Sequence, residues 1–65
     1  MPKYDLSDSV RVLSNDLTGR ITRHMVMEDG GQAYIILLDN PDATRDGTFC
    51  ARESEIQPQE RHYRG

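Results

Sequence analysis

The chain has 65 residues, 11 of them acidic and 8 basic, for a formal charge of −3, with one cysteine and no tryptophan. A length of this order makes one domain, whose folding hides only about 60% of the surface the unfolded chain exposes. Its stability is then roughly 3 to 10 kcal/mol. The charge balance argues against a broad basic face for gripping phosphates, and no window approaches the roughly 20 apolar residues of a membrane-spanning helix.

In chain order, the opening MPKYDLSD lacks the apolar stretch of a signal peptide. Residues 9–14 (SVRVLS) alternate Val10 and Val12 inward with Arg11 outward, then stop at Ser14-Asn15-Asp16, which reads as a turn. Residues 19–27 (GRITRHMVM) resume the alternation, with Ile21 facing in and Arg20, Thr22 and His24 facing out. Asp29-Gly30-Gly31 is a hairpin signal, because glycine accepts the positive φ of a tight turn. A third strand at 32–39 must therefore pair antiparallel with the second, and Pro41 ends it. Asp46-Gly47 leads into a fourth strand at 48–52 (TFCAR), Glu53-Ser54-Glu55 forms a single 3₁₀ turn, and Ile56-Gln57-Pro58 forms a short closing strand. No stretch carries apolar residues at helical spacing between caps.

The run VRVL, then TGRIT opened by Gly19, then GGQAYIILLDNPD and DGTFCARESEIQP, resembles the small SH3-like barrels of bacterial and phage proteins. That broad group includes KOW-type and Tudor-type barrels, a photosystem I accessory subunit and the type II dihydrofolate reductase. The resemblance implies an all-β, five-stranded SH3-like barrel over residues 1–65, with its core at about 6–58 and flexible tails. It also places Gly19 at a sharp bend into the second strand and Ile56 inward on the closing strand. The barrel hosts unrelated tasks, so it licenses no function by itself. The loops EDGG and DNPDATRDG are acidic, unlike the basic loops that KOW-type proteins bring to RNA, and TFCARESEIQP carries no counterpart of the reductase's glutamine and tyrosine motif.

Few residues are equipped for chemistry. Nucleophilic catalysis needs Cys50 or a serine beside a histidine and an orienting acid; His24 and His62 are present, but without a nucleophile elbow or an oxyanion-hole motif. Cys50 reads as a small, semi-buried strand residue. With no partner for a disulfide, it points to a reducing compartment and hence the cytoplasm. One cysteine and two distant histidines make no zinc spacing. Asp39, Asp42 and Asp46 lack the ligand pattern of a calcium loop and read as solvated. Neither a cofactor nor a catalytic role is expected.

The informative stretch is 34–38, where Tyr34, Ile35, Ile36, Leu37 and Leu38 are apolar in succession. Neighbouring residues of a strand face opposite sides. With Tyr34, Ile36 and Leu38 inward beside Val10, Val12, Ile21 and Phe49, Ile35 and Leu37 must face out. Met25 and Met27, across the hairpin, and Leu13 widen this outer patch. Two coverings are open. Residues 2–6 or 60–63 fold over it with Tyr4, Leu6 or Tyr63, or it docks another protein or a second copy, an edge-strand dimer being the simplest version. Loops 15–18, 28–31 and 42–47 border the expected binding surface. A rival reading assigns Arg11, Arg20 and Arg23, on one side of the first hairpin, to nucleic acid. Another makes the chain an accessory subunit of an enzyme complex.

Overall fold

The computed structural model describes residues 3–59. Its strands are β1 (Ser9–Val12), β2 (Thr18–Val26), β3 (Gln32–Leu38), β4 (Thr48–Arg52) and β5 (Ile56–Pro58). Two single 3₁₀ turns, Pro41–Ala43 and Glu53–Glu55, complete the order. The all-β class, the five strands and the turn before the last strand are as expected from the sequence. All pairings are antiparallel, in the order β4-β3-β2-β1-β5. Hydrogen bonding does not close the sheet, since β4 and β5 are its two edges.

β2 holds the sheet together because it serves two neighbours at once. Its Gly19 lies opposite Val10 of β1 and opposite Leu38 of β3. A Cβ built on Gly19 would stand 2.3 Å from the Leu37 carbonyl oxygen and 2.8 Å from Ile36 Cγ2, so the backbones approach too closely for any side chain. Gly30, with φ of +87°, supplies the positive φ of the β2–β3 hairpin. There the Met27 N–H donates to the Gly31 carbonyl at 2.7 Å and Asp29 Oδ1 accepts from the Gly31 N–H.

Between Ile21 and Arg23 the register shifts by a bulge. Ile21 stands opposite Ile36 and Arg23 opposite Ile35, so Thr22 is the extra residue, its hydroxyl donating to the Ile35 carbonyl at 3.2 Å. The bulge inverts the alternation beyond it. His24 is therefore not outward, as simple alternation predicts. It stands opposite Tyr34 on the inner side, half-buried, its ring 5.3 Å from the Tyr34 ring and its Nε2 hydrogen-bonded to Gln32 Oε1.

The core gathers Val10, Val12, Ile21, Tyr34, Ile36, Leu38, Ala51 and Ile56, with Phe49 and Leu17 packed at its margin. Tyr4 belongs to it as well, so the core begins before residue 6. Its ring meets Tyr34 edge-on at 5.5 Å and its hydroxyl donates to the Ile56 carbonyl at 3.3 Å. The N-terminal segment thus covers the inner side of the sheet and not the outer patch, while Leu6 remains 60% exposed. Residues 60–63, the other expected cover, and Tyr63 with them, lie outside the described residues.

The Tyr34 hydroxyl ties these parts together. It accepts from the Lys3 and Tyr4 amides at 3.1 and 3.3 Å and donates to Glu53 Oε2 at 2.8 Å. The Lys3 amide also donates to the same Glu53 oxygen at 2.9 Å. This network needs an ionised carboxylate and a neutral phenol. The Lys3 amide, followed by the Tyr34 hydroxyl, holds Glu53 below its ordinary 4.5. Burial, followed by the bond to Glu53, lifts Tyr34 above its ordinary 10.0.

Two outcomes follow from this packing. Gly19→Ala is expected to lower stability by about 2 kcal/mol or more in urea unfolding, since the methyl meets backbone that cannot swing aside. In a pH series, Glu53 with its depressed pKa contributes stability above pH 4.5 that is lost as pH falls through its folded value. Tyr34 with its raised pKa contributes below pH 10.0 and is lost as pH rises through its folded value. Glu53→Gln should remove its share of the acid loss and leave that of Asp29, whose carboxyl is held low by the Gly31 amide and then by Arg52.

Candidate functional site

On the outer side of β2, β3 and β4 the registers align side chains in three cross-strand rows. Arg20, Leu37 and Thr48 form the first, Arg23, Ile35 and Cys50 the second, and Met25, Ala33 and Arg52 the third. Residues directly opposite in an antiparallel ladder share a face, so the surface reads by column as cationic on β2, apolar on β3 and mostly polar on β4. The two-sided character of β3 inferred from its sequence is thereby realised. Tyr34, Ile36 and Leu38 are buried beneath it, while Leu37 is 47% exposed and Ile35 half-buried. Ala33 is the exception, being buried on the outer side in the row it shares with Met25 and Arg52.

Of the residues expected at a docking patch, Ile35, Leu37 and Met25 are brought together. Met27 is half-buried at the hairpin end of β2, where it borders a shallow depression with Glu28, Asp29 and Arg52. Leu13 stands apart, 53% exposed just beyond β1, with its amide donating to the Glu55 carbonyl at 2.8 Å. Two further exposed apolar residues also lie away from the rows: Leu6, expected from the sequence as a cover, and Val26, not singled out there, which is opposite Gln32 on the inner side.

Cys50 corrects the expectation of a semi-buried thiol. It is exposed, because Phe49 and Ala51 take the inward positions of the edge strand β4 and leave Cys50 opposite Ile35 on the outer side. His24 is on the inner side, so thiol and imidazole occupy opposite faces of the sheet and form no nucleophile–base pair. Among the described residues no three His, Cys, Asp or Glu side chains gather as a metal site, and no helix is long and apolar enough to cross a membrane. In the acidic loop, Asp39 Oδ2 accepts from the Thr18 hydroxyl of β2 at 2.8 Å. Asn40 Oδ1 accepts from the Asp42 amide at 3.2 Å, and Asp46 Oδ1 accepts from the Thr48 hydroxyl at 3.1 Å.

The arginines differ in how they are employed. Arg11 is bridged to Asp16 at 2.9 Å and lies opposite Thr18 and Gln57; with the Gln57 amide turned so that its oxygen faces Arg11, that oxygen accepts from the guanidinium. Arg52 is bridged to Asp29 at 3.4 Å. Arg20 and Arg23 form no ion pair among the described residues, yet they flank Leu37 and Ile35.

The open edge of β4 is occupied by the chain's own side chains. The Leu38 N–H donates to the Gly47 carbonyl at 2.9 Å, and this phase turns the backbone groups of Thr48, Cys50 and Arg52 away from β3. Asp46 Oδ1 accepts from the Thr48 N–H at 3.4 Å, the Thr44 hydroxyl donates to the Thr48 carbonyl at 3.0 Å, and Glu55 Oε1 accepts from the Arg52 N–H at 2.8 Å. Between these caps, among the described residues, Cys50 alone presents its backbone groups. The other edge, β5, is three residues long and ends in Pro58, which has no N–H to offer.

Comparison of the chain with protein-family models, with curated proteins and with solved structures yields no match.

The geometry separates two neighbours on one strand. Leu37→Ser is expected to change stability by about 1 kcal/mol or less, whereas Ile36→Ala should cost about 2 to 5 kcal/mol. Urea unfolding of the two variants beside the native chain measures both.

Proposed function

We propose that this chain is a small non-catalytic protein-binding or accessory module, built on a sheet of the SH3-like barrel type, that docks a partner on the outer side of β2, β3 and β4. The observation carrying this reading is that Leu37 and Ile35 stand in solvent-facing positions at the centre of a three-strand surface, while the alternate residues of the same strand are fully interior. Fully burying a Leu or Ile side chain is worth about 1.5 to 3 kcal/mol. An apolar column left at the surface of so small a domain is the kind of patch that marks an interaction site.

Protein is favoured over nucleic acid by the placement of the rings. Sequence-tolerant binding of single strands uses exposed aromatics beside cations. Tyr4 and Tyr34 are core residues, and Phe49 shares the inner side opposite Ile36. Among the described residues the arginine column therefore has apolar aliphatic neighbours instead of stacking platforms.

The test is affinity capture with tagged chain in three forms: native, Leu37→Asp, and Leu6→Asp as an exposed apolar control. A partner held by the native and Leu6→Asp forms and lost from Leu37→Asp, with the β-type circular dichroism unchanged in all three, is expected. Equal capture by folded Leu37→Asp would overturn the reading.

A further inference from the structure

We infer that the occupant of the outer face is an acidic segment of another protein, carrying carboxylates for Arg20 and Arg23 beside two apolar side chains for Leu37 and Ile35. This rests on the docking face proposed above and adds the chemistry of what it takes.

Charge decides between the occupants. The three rows contain Arg20, Arg23 and Arg52 and no aspartate or glutamate, and among the described residues only Arg52 of these is bridged to an acid, Asp29. Packing two copies face to face would bring Arg20 and Arg23 from each into one desolvated contact with no carboxylate in the rows to answer them. Like charges juxtaposed in an interface are strongly unfavourable, so the face rejects a second copy of itself. It accepts carboxylates, which gain charge-assisted bonds from guanidinium groups that form no ion pair among the described residues. Of the described acids, Asp39 borders the first row with its Oδ2 accepting from the Thr18 hydroxyl and Asp29 is bridged to Arg52, while Arg20 and Arg23 are bridged to none, which leaves their column as a local site of opposite sign on a chain of net charge −3.

The edge caps fix how the partner lies. Asp46 and Thr44 close one end of the β4 edge and Glu55 the other, so a partner strand would find backbone groups to pair with only at Cys50. Binding is therefore by side chains laid across the face and not by addition of a strand. Leu37 and Ile35 are two residues apart on an extended strand, about 7 Å. The partner's two apolar groups must match that spacing, with its carboxylates on the β2 side.

A displayed library of short random peptides, panned against the whole folded chain, tests this. Peptides rich in Asp and Glu with two apolar residues should be enriched. They should bind the Arg20→Glu/Arg23→Glu double variant at least about tenfold more weakly, and panning on that variant should favour basic peptides instead. Circular dichroism confirms that each variant is folded. Selected peptides without an excess of acids, undiminished binding to the double variant, or no selection at all would overturn the inference. So would a dimer of the native chain in sedimentation that Leu37→Asp dissociates, or salt-dependent retention on DNA or RNA that the double variant loses. Peptides that bind Leu37→Asp as well as the native chain would instead show that the docking face itself is misplaced. Peptides that need Leu37 but are not acidic would leave that face standing and remove only its charge preference.

Discussion

A strand has two faces, and β3 is apolar on both. The inner one is settled by packing: Tyr34, Ile36 and Leu38 leave water almost completely, and the surrounding strands are arranged to enclose them. Gly19 lets β2 pass against the backbone of Leu37, which brings Ile21 onto Ile36. Phe49 and Ala51 come onto the same side from β4. Each of these placements turns the intervening residues the other way. Ile35, Leu37, Arg20, Arg23 and Cys50 face outward as a direct consequence of how the interior is filled.

The enclosure is completed by polar groups. Because the sheet is open between β4 and β5, something must span that gap on the inner side. The turn Glu53–Glu55 and the N-terminal segment do so, joined through the Tyr34 hydroxyl, with Tyr4 reaching the Ile56 carbonyl. A buried phenol left without partners would cost about 1 to 3 kcal/mol, and here it has two donors and one acceptor. The N-terminal tyrosine is thereby committed to the interior, and among the described residues nothing of that segment remains to screen the outer face. The site and the core are thus consequences of one allocation of a few large side chains.

Much of this was legible in the residues themselves. The alternation of SVRVLS, the glycines after Asp29 and the break at Pro41 placed the strands to within a few residues, and the unbroken run at 34–38 announced a two-faced strand. What was not legible depended on register. The bulge at Thr22 carries no glycine to betray it, and it turned His24 inward against the local alternation. Cys50 lies between Phe49 and Ala51, a pattern that points it outward once those two are taken as inward, but its place beside Ile35 required the β3–β4 pairing. The inward path of Tyr4 rests on contacts 30 and 52 residues away in sequence. The capping of the β4 edge by Thr44, Asp46 and Glu55 likewise follows from tertiary placement, since these residues read as ordinary loop polarity in the chain.

The central claim is that one side of β3 is dry and the other wet in a single copy of the chain. Methyl nuclear magnetic resonance with a soluble paramagnetic gadolinium chelate reads this directly, side chain by side chain. Strong broadening of the Leu37 methyls, weaker broadening at Ile35, and none at Ile36 or Leu38 is the pattern the account predicts. Leu37 methyls as protected as those of Ile36 in the monomeric protein would contradict it.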